Sequence, residues 1–265
     1  MNIYMREMKA YRKSLIIWSV ALLFMILGGM GKYSSYKASG QDMTKLLSSF
    51  PKSVRIILGM GDFDMTKAIG FFGMLYFYLI LMGGIHAAML GAGIISKEES
   101  DKTVEFLMVK PVSRTKVITS KLLAALTNVL IFNIVTSLLS IAFVNAYAKG
   151  EAVAASILQM MVGMFVIQLI FMLMGTCIAS ASRHPRSSAS IATGILLFTF
   201  ILSIITDLSN SLEILKYLTP FKYFDAKSII DGKSFDPAFT WLSVLLIAVF
   251  AVMTYVFYKK RDLKV

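Results

Sequence analysis

The sequence predicts an all-α integral membrane protein with six transmembrane helices, and three observations support this fold class. Hydrophobic residues make up 57% of the 265 residues, and the mean hydropathy is +0.73. Several apolar runs approach the roughly 20 residues that a helix needs to cross about 30 Å of hydrocarbon. The charged residues gather between these runs. Residues 1–265 are therefore expected to form a single membrane domain.

An amphipathic helix is expected over residues 1–14, lying in the inner headgroup region before the first span. Apolar side chains line part of one face of this helix: Ile3, Met5, Met8 and Tyr11. Basic side chains occupy other parts of its surface: Arg6, Lys9, Arg12 and Lys13.

The six predicted spans correspond to six apolar runs. They are Leu15–Met30, Gly70–Ile95, Lys121–Ala146, Ala155–Ala181, Ser188–Thr206 and Phe239–Tyr258. The only cysteine, Cys177, lies in the fourth run, so the chain has no disulfide framework.

Short amphipathic helices are predicted in the loops on the side opposite the termini. One is capped by Asp42 and carries apolar residues at positions 43, 46, 47 and 50, and a second begins at Pro51 and stops at Gly59. The last of these loops has a similar pattern, with Leu208, Leu212 and Leu215 followed by residues 218–221. These segments are expected to lie on the outer leaflet or dip into it.

The distribution of basic residues predicts the orientation. An even number of spans places both termini on one side, and the termini with the 96–121 and 182–188 loops carry sixteen of the 27 Lys and Arg residues. The other eleven are spread over a longer stretch of chain. By the positive-inside rule, both termini are cytoplasmic and the protein is a multi-pass protein of the cell (plasma) membrane. This topology and anionic membrane lipid account for the net charge of +12, so no nucleic-acid partner is expected.

Between the ends of the predicted spans there is no Asp, Glu, Lys or Arg, and His86 is the only histidine. Ion-coupled transporters usually need an acid or base within the membrane, so an ion-coupled secondary transporter is the less favoured alternative. His86 itself is interpreted as a residue that makes a helix–helix hydrogen bond or lines a cavity, with a proton relay as the alternative.

Motifs for catalysis and nucleotide binding are absent from the sequence. It contains no G-x-x-x-x-G-K-[ST] phosphate loop, no G-x-S-x-G elbow and no histidine spacing that would bind a metal. The chain is therefore not expected to be an enzyme or to bind a cofactor or metal, although a membrane-embedded enzyme is kept as a second alternative.

Small residues form a face on the second span. Gly83, Ala87 and Gly91 recur every four residues, which places them on one side of a helix. Such a face allows close helix packing, and it is equally compatible with a surface along a transport pathway.

The segment between the second and third spans is the most informative part of the chain. It contains a short amphipathic stretch in which Val104, Leu107 and Met108 share one helical face, and Pro111 ends that stretch. A charged helix between two spans is suited to contact a soluble partner and to transmit force from it to the spans.

This segment resembles the membrane subunit, or permease, of type-2 ATP-binding-cassette (ABC) exporters. The family pattern is a glycine-bearing second span followed by E-x-x-x-x-T-x-E-x-L-x-x-x-P-x-S-R and a basic residue that leads into the third span. Its counterparts here are Gly91, Gly93, Glu98, Thr103, Glu105, Leu107, Pro111, Ser113, Arg114 and Lys121. Lys102 stands where the family usually has glycine.

The resemblance implies a transport mechanism with separate subunits. Two permeases, identical or paralogous, would pair in the membrane, and two ATPase subunits that bind ATP and Mg²⁺ would dock beneath them. A coupling helix at Lys102–Val109 would contact the ATPase, and Glu98 and Glu99 would pair with Arg6 or Lys9.

The site residues implied for ATPase coupling all lie between the second and third spans. They are Glu98, Glu99, Lys102, Thr103, Val104, Glu105, Leu107, Met108, Pro111 and Arg114. The implied cargo, an antimicrobial peptide, an antibiotic or another amphipathic molecule, would pass between the second and fifth spans of each subunit.

Overall fold

A computed structural model describes residues 2–39, 49–61, 63–100, 112–148, 150–182, 184–208 and 210–260. Its α-helices are α1 (Ile3–Ser39), α2 (Lys52–Ile57), α3 (Ala68–Ser100), α4 (Arg114–Ala148), α5 (Ala154–Ala181), α6 (Ser188–Leu208), α7 (Ala226–Ile230) and α8 (Pro237–Lys260). Three 3₁₀ segments connect them, at Pro185–Ser187, Asn210–Leu218 and Pro220–Lys222.

Six helices in the described part of the chain are long and apolar enough to cross a membrane, namely α1, α3, α4, α5, α6 and α8. Each of the six predicted spans falls within one of these helices, so the prediction of six helices that could span a membrane is confirmed. Helices α1, α3 and α4 extend furthest beyond the apolar runs, because no proline interrupts the polar residues that flank those runs.

The amphipathic helix expected over residues 1–14 is not a separate element. It is the first part of α1, which runs without interruption from Ile3 to Ser39. No glycine or proline lies between Ile3 and Leu27, so nothing in the sequence ends a helix near Ser14. At about 1.5 Å per residue, α1 is roughly 55 Å long and exceeds the hydrocarbon thickness by itself.

Helices α3 and α5 form the centre of the bundle. In each of them 67% of the most apolar 18-residue stretch is buried, against 17–39% in the other four candidate spans. Helix α1 packs mainly on α4, while α6 packs on α3 and α8 packs on α5. Specific side chains join these layers: Tyr76 donates to the Met160 carbonyl across α3 and α5 at 2.8 Å, and the Thr176 and Thr254 hydroxyls are 3.0 Å apart between α5 and α8.

Residues 49–61 and 210–232 pack on the end of the bundle where α3 begins. Pro51 precedes α2 and Gly59, with φ of +68°, follows it, which confirms the predicted boundaries of this short helix. The predicted helix at 43–50 lies almost wholly outside the described residues. In the last loop, Phe221 is buried against Phe171 and Phe200, with ring centroids 5.2 and 5.1 Å apart, so this loop packs on protein at that point.

Two ionisable groups in these loops have shifted pKa values. The Thr66 hydroxyl donates to Asp64 Oδ1 at 2.6 Å, and this hydrogen bond holds the pKa of the carboxyl below its usual value. Burial raises the pKa of Tyr223 to about 12, and its hydroxyl donates to the Tyr217 carbonyl at 2.5 Å. Both contacts fix loop segments next to the ends of long helices.

Candidate functional site

Four charged side chains from three helices meet at the end of the bundle where α3 ends and α4 begins. We call Arg6, Glu7, Glu98 and Lys121 the ion cluster. Lys121 Nζ lies 2.6 Å from both Glu98 carboxylate oxygens and 3.6 Å from Glu7 Oε1. Arg6 Nη2 lies 2.6 Å from Glu7 Oε1 and 2.5 Å from Glu98 Oε1. The cluster ties α1, α3 and α4 together.

Local sequence explains how these four groups converge. Arg6 and Glu7 are adjacent on α1, Glu98 lies in the last turn of α3, and Lys121 lies two turns into α4. Lys121 Nζ also donates to the Ile94 carbonyl at 2.6 Å, one turn before Glu98 on α3. Its three acceptors match the three protons of an ammonium group.

Charge balance permits this degree of burial. Glu7 is 2% exposed, Glu98 7% and Lys121 1%, while the Arg6 side chain is 32% exposed. Burial of a charge is costly unless it is paired, and two cations with two carboxylates leave the cluster formally neutral. Arg6 is the member that reaches solvent.

The predicted pairing of Glu98 with Arg6 is confirmed, whereas the roles of Glu7 and Lys121 were missed. The sequence places Lys121 at the start of a predicted span because an apolar run follows it. Its helical neighbours carry the missed signal: Val117, Ile118, Ala124 and Ala125 are all buried, so a lysine on that face needs an interior partner.

The other residues predicted for ATPase coupling are distributed as follows. Glu99 is half-buried next to Glu98, and the Arg114 guanidinium donates to the Lys259 carbonyl at 2.9 Å, joining α4 to α8. The remaining positions lie outside the described residues: Lys102, Thr103, Val104, Glu105, Leu107, Met108 and Pro111. The described chain resumes beyond them at Val112.

The face formed by Gly83, Ala87 and Gly91 is turned toward α5. A Cβ at position 91 would collide with the Met172 carbonyl oxygen, and one at position 83 would lie 2.8 Å from Gln168 Nε2. On the other side of the contact, a Cβ on Gly175 would collide with the Ala88 carbonyl. The backbones of α3 and α5 thus approach closely along this face.

His86 lies in an aromatic environment. It is 2% exposed, and its ring stacks on Phe132 with centroids 4.4 Å apart and tilts against Trp18 at 5.6 Å. Its Nδ1 has no hydrogen-bond partner within the described ranges. The ring therefore packs α1, α3 and α4 together, and the predicted helix–helix hydrogen bond is not seen at Nδ1.

Buried amide side chains of α4 and α5 lie toward the middle of the bundle. Asn133 Nδ2 donates to the Met161 carbonyl at 3.1 Å and to Gln168 Oε1 at 3.2 Å, which links α4 to α5. Asn128 is 1% exposed, and neither end of its amide has a hydrogen-bond partner in the described part of the chain. Buried polar groups of this kind are usually satisfied by ordered water.

Metal ligation has no support in the part of the chain that the structure describes, because no three His, Cys, Asp or Glu side chains there come together. The ion cluster contributes only two carboxylates, and both are already paired with cations. Its geometry suits the mechanical joining of helices.

The chain matches a known protein family. A family model described as "ABC-2 family transporter protein" matches residues 1–263. No curated protein matches the chain.

Proposed function

Because the chain belongs to the ABC-2 family of transporter membrane proteins, we propose that it is the permease subunit of an ATP-driven exporter whose ATPase is a separate chain. The match over residues 1–263 is the observation that carries this proposal. The six candidate spans agree with it, since a permease must surround a pathway through the membrane.

A division of labour between two chains follows from the sequence. It has no phosphate loop, so the energy of ATP must reach the spans from outside this chain. We propose that the ATPase docks on the segment between α3 and α4, where Val104, Leu107 and Met108 form an apolar face at helical spacing.

The ion cluster supports this site of docking. Glu98 lies three residues before the undescribed segment 101–111 and Lys121 lies ten residues after it, and their ion pair fixes both ends of the segment relative to each other. Arg6 and Glu7 add α1 to the same unit. A force on the segment would therefore move three helices together, which is what transmission to the pathway requires.

The proposed assembly contains two permeases and two ATPase subunits, with both permease termini in the cytoplasm. The excess of Lys and Arg on the side of the termini supports that orientation. The proposed pathway lies between α3 and α6 of paired subunits, and the proposed cargo is an antimicrobial peptide, an antibiotic or another amphipathic molecule.

Reconstitution with and without an ATPase tests the proposal. The purified chain alone is expected to show no ATP turnover, and addition of the ATPase encoded beside it should give turnover and a stable complex. A catalytically inactive variant of that ATPase is the control for contaminants. Turnover by this chain alone, or failure of any ATPase to bind it, would contradict the assignment.

A further inference from the structure

A cavity of about 260 Å³ lies at the end of the bundle opposite the ion cluster. Its walls come from α2, the first part of α3, the last part of α6 and residues 221–227. Along α3, Tyr76 in this cavity and Glu98 in the ion cluster are 22 residues apart, or about 33 Å at the rise of an α-helix. The cavity is thus distinct from the proposed coupling site.

One part of the cavity wall is aromatic. It includes six rings: Phe63, Tyr76, Phe77, Phe200, Phe221 and Phe224. The Phe77 and Phe200 centroids are 4.9 Å apart, and those of Phe200 and Phe221 are 5.1 Å apart, so neighbouring helices hold these rings in fixed contact. Such a wall favours an apolar ligand body.

The remaining wall is charged, with an excess of cations. Lys222 pairs with Asp207, and Lys227 lies 3.1 Å from Asp231. Asp225 accepts hydrogen bonds from the Ser228 backbone and hydroxyl at 2.9 and 3.0 Å, where it caps α7. The acidic side chains that line the cavity are therefore already engaged.

Two cations of the wall have no such partner. Lys52 and Arg55 lie three residues apart on one side of α2, and no carboxylate among the described residues pairs with either of them. Arg55 Nε is buried without a hydrogen-bond acceptor there. A buried guanidinium nitrogen without an acceptor is costly, and a ligand anion would satisfy it.

We propose that this cavity binds an amphipathic phosphate, with its head group on Arg55 and Lys52 and its apolar tail against the ring wall. Guanidinium groups bind phosphate oxygens through paired hydrogen bonds, and the lysine adds a second positive charge. A cationic amphiphile would meet two cations that no described carboxylate pairs with, and inorganic phosphate would leave the rings without a partner. The site depends neither on an ATPase nor on the direction of transport.

Photolabelling of the purified full chain in maltoside micelles tests this proposal. The probe is dodecyl phosphate with a diazirine in its chain, and the matched probe carries a trimethylammonium head group. Mass spectrometry should place the phosphate label on Phe77, Phe200 or their neighbours, with at least tenfold less label there from the cationic probe.

Variants identify the head-group contacts. Arg55→Gln should lower labelling about tenfold, and the Lys52→Gln/Arg55→Gln double variant should lower it further. Arg55→Lys keeps the charge but not the paired hydrogen bonds, so it should restore only part of the labelling. Lys233→Gln removes an exposed cation near the same end and should leave labelling unchanged. Elution volume and melting temperature show that each variant is folded.

Competition assigns the source of the phosphate. Displacement of the probe by phosphatidylglycerol identifies a membrane lipid, and displacement only by unlabelled dodecyl phosphate identifies a smaller amphiphile; both support the site. Equal labelling by the cationic probe, unchanged labelling in the Lys52→Gln/Arg55→Gln double variant, or displacement by inorganic phosphate alone would overturn it.

Discussion

Lys121 and Glu98 form a buried ion pair in which the ammonium nitrogen lies 2.6 Å from both carboxylate oxygens. The pair joins the last turn of α3 to the second turn of α4, and Arg6 extends it to α1. These helix ends border the segment that is proposed to receive the ATPase. Substitutions in this pair can therefore distinguish effects on stability from effects on transport.

Removal of one partner should destabilise the protein strongly. Lys121→Met is expected to lower the free energy of unfolding by about 3–5 kcal/mol, because two carboxylates then share only Arg6. Unfolding in mixed micelles of increasing dodecyl sulfate content measures this change.

The double variant Glu98→Gln/Lys121→Met is the control, since it restores a neutral cluster. It should recover about half of the loss or more. If the loss of stability in the double variant equals the sum of the losses in Glu98→Gln and Lys121→Met, the ion pair contributes nothing.

Close packing of α3 and α5 predicts a sharp response at Gly91. A Cβ there meets the Met172 backbone, so Gly91→Ala should cost about 1–3 kcal/mol of stability. Gly194→Ala on α6 is the matched control: nothing lies within 4 Å of its added Cβ, and alanine should stabilise that helix by about 0.5–1 kcal/mol. Thermal unfolding in detergent compares the two variants. Equal changes in melting temperature in the two variants would indicate that α3 and α5 lie further apart than this contact requires.

The aromatic environment of His86 predicts that ring shape matters more than titration. His86→Phe should change stability by less than about 1 kcal/mol, whereas His86→Ala should cost about 2–5 kcal/mol by leaving a cavity beside Phe132. ATP turnover by the reconstituted complex should persist in His86→Phe. Loss of turnover in a stable His86→Phe protein would instead favour the proton-relay interpretation.

Cysteine labelling tests the proposed orientation. In a Cys177→Ser background, cysteines at Ser34 and Lys233 should react in intact cells with a thiol reagent that does not cross membranes. Cysteines at Ser113 and Ser187 should react only after the cells are opened. All four positions are exposed, so accessibility within the protein does not limit the reaction. Labelling of Ser113Cys from outside would reverse the orientation.

The apolar face of the proposed coupling segment predicts a selective defect in docking. Burial of a large aliphatic side chain contributes roughly 1.5–3 kcal/mol, so Leu107→Asp should weaken ATPase binding at least tenfold. Membrane insertion should survive because the spans are unchanged. Co-purification measures binding, and Leu245→Met, at an exposed position on α8, is the control. Recovery of the ATPase at normal yield would rule out this segment as the coupling element.

The number and positions of the spans were predictable from the sequence because hydropathy over about 20 residues is a strong signal. The end of α2 just before Gly59 was predictable for a similar reason, since glycine readily adopts the positive φ that commonly ends a helix. The extent of α1 was not predicted. Amphipathic patterning in residues 1–14 favoured an interfacial helix, whereas the unbroken run of helix formers and the Arg6–Glu98 contact join this segment to the bundle.

The ion cluster was only half predictable. The pairing of Glu98 with Arg6 is predictable from the resemblance, because both residues are expected at the same membrane surface. Glu7 and Lys121 join through tertiary packing, which brings residues 114 positions apart within 3.6 Å. Likewise, the cavity between α2 and residues 221–227 depends on how loops fold back, and helical periodicity carries no information about that arrangement.

Two basic residues of the ion cluster are expected to have different roles during membrane insertion and in the folded protein. Arg6 and Lys121 belong to the excess of cations that predicts the orientation, and insertion responds to them while the helices are still separate. After the helices associate, Lys121 is buried and both charges are paired with carboxylates. Two residues that are expected to influence insertion thus form contacts between helices in the folded structure. A variant such as Lys121→Met is accordingly expected to alter two separable quantities, the fraction of chains inserted in the correct orientation and the stability of those that are.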